Sequence, residues 1–122
     1  MKAKIRRDDQ GRFYGIEIRC PGCLYSNGTP QDHVLPLNAL PAGETEFSPN
    51  ISWKDRWTFN GDFEKPTFSP SLNTWWGGFK SGDHDIPLHR CHSFIRDGKI
   101  QFLSDCTHAL ASQTVDLPEI DP

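Results

Sequence analysis

The sequence predicts a mainly β domain of the small α+β kind: a compact antiparallel sheet built on a central hairpin, with one short C-terminal helix. Three observations predict it. Ten prolines and ten glycines interrupt the chain too often for long helices. Several short runs alternate apolar and polar residues, the period of a half-buried strand. Asp97-Gly98 stands between two runs rich in apolar residues, and that dipeptide favours a two-residue type I′ hairpin. The 122 residues suit one domain, 1–122, with its core over about 13–118 and a short extended tail.

In chain order, Lys2 to Arg6 reads as a short charged strand, and Asp8-Asp9-Gln10-Gly11 as a turn. Phe13 to Cys20 alternates and reads as a second strand, ending in the knuckle Cys20-Pro21-Gly22-Cys23. His33 to Leu37 is an extended piece that Pro36 favours at a sheet edge. Leu40 to Asn50 reads as surface loop, and Trp53 to Asn60 as a strand. Lys65 to Leu72 carries two prolines and is not helix. Asn73 to Trp76 reads as a strand, and Ser81 to Asp85 as a polar loop. In the hairpin, Arg96 faces Lys99, Ile95 faces Ile100 and Ser93 faces Phe102. That register puts Cys91 and Cys106 on one face as diagonal neighbours, and His92 and Asp105 on the other. Asp105 is a good cap for a short helix over Cys106 to Ser112, and Val115 to Pro122 reads as an extended tail.

Hydrophobic content is 35% and mean hydropathy is −0.61, so the core is modest, and a loop-rich, mainly β domain with such a core usually needs a staple. Net charge is −3 with both signs interspersed, which argues against nucleic acid as a partner. No run approaches the roughly 18–20 apolar residues of a membrane span, so no membrane partner is expected. The N-terminal residues carry positive charge without an apolar run, so the expected location is the cytoplasm, the host's if the chain is phage-encoded. There, four cysteines are reduced, metal-bound or catalytic rather than disulfide-bonded.

Two cysteines at CxxC spacing aim both sulfurs at one point and can hold tetrahedral Zn²⁺. The hairpin offers the second pair, so the expected staple is zinc on Cys20, Cys23, Cys91 and Cys106, with His33 or a hairpin histidine able to replace one cysteine. A redox CxxC is the competing reading, but the residues after Cys23 do not look like the helix it opens. The candidate catalytic residues are His92, Asp105 and His108. If Cys106 is not a ligand it is a candidate nucleophile at a helix N-terminus, with His92 or His108 as base and Asp105 as orienter. Alternatively an open zinc position activates water, with His92 or Asp105 as base. Singly, each of these residues has an ordinary structural role as cap, strand or surface residue. Asp83-His84-Asp85 reads as charged loop. Trp53, Trp57, Phe59, Phe68, Trp75 and Trp76 read as core or as an aromatic lid, with an exposed binding platform as the alternative.

The segments Phe59-Asn60-Gly61-Asp62, Lys65 to Leu72, Cys91 to Leu103 and Asp105 to Ala111, with the knuckle and His33-Val34-Leu35-Pro36, resemble a small phage and bacterial family of unknown function. Its members are often labelled "ammonia monooxygenase", a membrane copper enzyme that a chain without a membrane span does not fit. The family is similar to the BubE-type component of bacterial ubiquitin-like operons. The resemblance implies a hydrolase, a peptidase or isopeptidase, acting on a ubiquitin-like protein or its conjugates, with His92, Asp105, Cys106 and His108 as the residues to carry over. A metal- or thiol-dependent peptidase with a protein substrate is thus the leading expectation. A non-enzymatic zinc-stapled module that engages a host protein through Trp75 and Trp76 is the other.

Overall fold

The computed structural model describes residues 1–51 and 54–120. Among these, ten strands are β1 (Ala3–Arg7), β2 (Phe13–Leu24), β3 (Pro30–Leu35), β4 (Thr58–Phe59), β5 (Phe68–Trp76), β6 (Phe79–Ser81), β7 (His84–Ile86), β8 (His89–Arg96), β9 (Lys99–Phe102) and β10 (Thr114–Asp116). They form an antiparallel three-stranded sheet, β1-β2-β3, a five-stranded sheet, β10-β9-β8-β5-β4, and the separate hairpin β6-β7. The two larger sheets share one core. Ile16, Ile18 and Leu35 from the first belong to the same buried cluster as Phe68, Leu72, Ile95, Ile100 and Phe102 from the second. Burial of such side chains is the main favourable term, about 1.5–3 kcal/mol each.

The central hairpin has the expected register: Arg96 opposite Lys99, Ile95 opposite Ile100, Ser93 opposite Phe102. Asp97 (φ 52°) and Gly98 (φ 77°) both take the left-handed conformation that a type I′ turn demands. Alternation then follows. Cys91, Ser93, Ile95, Ile100 and Phe102 are buried, while His92, Phe94, Arg96 and Gln101 face outward.

Three expectations are corrected. No helix follows Asp105 among the described residues. The Thr107 amide bonds back to the Arg90 carbonyl, and Ala111 and Gln113 donate to His108 and Leu110, three residues back. Thr107 is therefore tied to β8, and the next bonds close separate turns instead of an i→i+4 ladder. The strand expected over Trp53–Asn60 contracts to Thr58–Phe59, and its start at Trp53 lies outside the described residues. The expected loop at Ser81–Asp85 lies within the hairpin β6-β7, which turns at Gly82 and leaves Phe79 and Ile86 exposed. The C-terminal segment pairs through β10 with β9 and buries Leu117 and Ile120; Asp121 and Pro122 lie outside the described residues.

Candidate functional site

Strand alternation splits the site into two layers back to back. On the buried side, Cys20 and Cys23 come from the end of β2 and Cys91 from β8. Cys20 Sγ lies 3.7 Å from Cys91 Sγ, across the gap between the two large sheets. Two groups of donors, each with all its ligand atoms within 4.8 Å of one another, can hold a metal ion: Cys20, Cys23 and His33, and Cys91, Cys106 and His108. The 3.7 Å contact joins the two groups. Zinc–sulfur bonds of about 2.3 Å give a tetrahedral edge near 3.8 Å, so the sulfurs already stand at a spacing that such an ion spans.

The thiol electrostatics fit a cation. Hydrogen bonds from Cys23 and Cys91, helped by His33 and opposed by burial, hold the Cys20 thiol far below its usual range. The Cys20 thiolate in turn pushes Cys23 up to about 12, with burial adding to the shift. Cys20, then Cys23 and burial, raise Cys91 well above the thiol range. One negative charge is thus shared by three sulfurs, and the other two protons leave only if a positive charge replaces them. The histidines close around this cluster. His108 Nε2 and His89 Nε2 are buried without a partner. Burial lowers the pKa of both rings, which keeps them neutral, the form that binds metals. The His108 ring lies so close to the knuckle that any side chain at Gly22 would collide with it.

The outward layer holds different chemistry. His92 Nδ1 is 3.1 Å from Asp105 Oδ2. His92 Nε2, on the other side of the ring, is 3.2 Å from Ser71 Oγ. Ser71 sits on β5, two residues before Asn73, the direct partner of His92 across β5 and β8. Ser71 is thus the diagonal neighbour that a side chain of this length reaches. A hydroxyl, an imidazole and a carboxylate bonded in series form the constellation that turns serine into a nucleophile.

Of the expected catalytic residues, the structure brings His92 and Asp105 together and separates His108, which packs with the cysteines. Cys106 is also on the inner side: its sulfur accepts from the His92 amide and donates to the His92 carbonyl, each at 3.2 Å. With no helix at 106–112, the helix N-terminus expected at Cys106 is absent. All four cysteines are buried and free. Asp83, His84 and Asp85 are exposed and join no metal-binding group among the described residues. Ser71 was missed because nothing local marks it; it acquires meaning only from the pairing of β5 with β8.

A serine–histidine–aspartate relay on a small β domain defines a candidate serine hydrolase. A family model described as "Bacterial ubiquitination-like system serine protease (BubE)" matches residues 2–103, and the chain belongs to that family. The matched stretch contains Ser71 and His92 and ends just before Asp105. No curated protein and no solved structure matches the chain.

Proposed function

We propose that this protein is a serine peptidase or isopeptidase that cleaves a ubiquitin-like protein or its conjugates. The carrying observation is the bonded series Ser71 Oγ, His92 Nε2, His92 Nδ1 and Asp105 Oδ2. Ser71 attacks the scissile carbonyl while His92 takes its proton. Asp105 holds the ring with its Nδ1–H outward and stabilises the imidazolium that forms. The proton then passes from His92 to the leaving amine, and a water activated by His92 hydrolyses the acyl-enzyme. The family description supports a serine, rather than the buried Cys106, as nucleophile.

The metal in this reading is zinc, held by Cys20, Cys23, Cys91 and Cys106, and it is structural. With four thiolate ligands it has no open position, and the triad needs none. His33 is the competing fourth ligand, given its place beside Cys20 and Cys23. Elemental analysis of the Cys106→Ser and His33→Ala proteins separates the two: zinc is expected to fall in the first and persist in the second.

The decisive experiment treats wild type and Ser71→Ala with a fluorophosphonate probe, then assays cleavage of a ubiquitin-like protein carrying a C-terminal extension. Labelling of wild type at Ser71 is expected, together with a loss of about 10⁴-fold or more in turnover for Ser71→Ala. Full activity in that variant overturns the assignment. A non-catalytic binding module is also compatible with the exposed rings of Trp75 and Trp76, but it gives no reason for the three bonded side chains.

A further inference from the structure

We propose that the open edge of β5 beside Ser71 is the substrate subsite, and that it takes the extended tail of the ubiquitin-like substrate as an added strand. This rests on the peptidase reading above and adds how the substrate is held. β5 runs from Phe68 to Trp76, and β8 covers one side of it. On the other side β4 pairs only with Phe68 and Ser69, so among the described residues no strand pairs with Asn73 to Trp76 there.

The register says which groups face that edge. The Leu103 amide donates to the His92 carbonyl and Thr107 to the Arg90 carbonyl, so His92 and Arg90 point their backbone groups away from β5. Their partners across the ladder are Asn73 and Trp75. In an antiparallel pair, two directly opposed residues point their backbone groups both toward or both away from each other. The N–H and C=O of Asn73 and Trp75 therefore face the open edge. That is a two-residue repeat of donors and acceptors, which an extended chain matches and a folded surface does not.

The space beside this edge is shaped for a chain. A cleft of about 400 Å³ runs between β5 and the segment 54–57, lined by Pro70, Ser71, Asn73 and Trp75 on one wall and by residues including Lys54 and Trp57 on the other. Ser71 opens into it, so a strand paired with Asn73 and Trp75 carries its next carbonyl toward the nucleophile. The Arg90 guanidinium lies 5.8 Å from the centre of the Trp75 ring and braces it as one rim of the cleft.

The test uses the wild-type protein and semisynthetic substrates in which single amides of the ubiquitin-like tail are N-methylated in turn. Methylation at alternate positions is expected to raise KM by roughly tenfold or more, the effect of one lost hydrogen bond and a steric block. At the intervening positions KM stays near its normal value. Trp75→Ala and Asn73→Pro are each expected to raise KM more than they lower kcat. Equal effects at every tail position, or no effect anywhere, overturn the added-strand proposal. Fluorophosphonate labelling of Ser71 in the same preparation keeps the two readings distinct: when the methylation pattern is missing, absent labelling means that the peptidase reading fails, and labelling means that the added strand alone fails.

Discussion

Asp105 has one side-chain partner that decides its role, the Nδ1 of His92 at 3.1 Å. A carboxylate there fixes the tautomer in which Nε2 is free to accept the Ser71 proton. Asp105→Asn keeps the shape and can present its amide to the ring, turning the imidazole the wrong way. A fall in kcat of about 10³–10⁴-fold with KM little changed is expected, measured by steady-state kinetics on the fusion substrate. His108→Ala should behave differently. Its ring packs on the knuckle and lies with Cys91 and Cys106, so thermal stability falls while the kcat of the folded protein is kept. The meeting of His92 with Asp105 was legible in the hairpin, because a two-residue turn sets the register and the register sets the diagonals. Ser71 was not legible. Its place depends on the pairing of strands about twenty residues apart and on a register shift between Phe68 and Leu72 that no local pattern encodes.

Two turns hold the elements that carry the site. Gly98 has φ 77°, and a Cβ there would sit 3.2 Å from Lys65 Cα. Gly98→Ala is expected to cost about 1–2 kcal/mol, read from denaturant unfolding, with the triad chemistry unchanged. The turn between β1 and β2 depends on Asp8. Desolvation opposes its charge, but hydrogen bonds from the Arg12 and Gln10 amides and the Ser48 and Arg12 side chains outweigh it and hold the carboxyl at about 2. Its folded pKa lies below the unfolded value near 3.9, so its stabilisation is full above that value and fades as pH falls toward 2. Asp8→Asn should lower Tm at neutral pH, and the gap to wild type should close as acid is added. The missing helix shows where reading from local signals fails. Asp105 is a plausible cap, yet its carboxylate pairs with His92 and the next residue but one is bonded to β8. A tertiary partner took the capping group, and with it the reason to form a helix.

At the scale of the whole molecule, the mainly β class followed from punctuation and alternation. The division into two sheets did not, because it depends on which strand edges meet. The cysteines are where the sheets come closest in chemical terms: Cys20 and Cys23 belong to one, Cys91 to the other. Removing a metal from that junction is expected to cost about 3 kcal/mol or more, and so to lower Tm by roughly 10 °C or more for a domain of this size. Differential scanning calorimetry with and without chelator measures it. Titrating zinc into the metal-free protein should also release protons, since Cys23 and Cys91 are held protonated by the Cys20 charge. The two layers of the site are written into adjacent letters of the chain. Cys91 precedes His92, and Cys106 follows Asp105. A deletion or insertion of one residue in β8 would exchange the layers, turning the sulfur to water and the imidazole to the core. A single slip of the strand therefore removes the scaffold and the reactive group together. A one-residue insertion in β8 is expected to abolish metal binding and fluorophosphonate labelling together, and a variant that keeps either one would contradict the linkage.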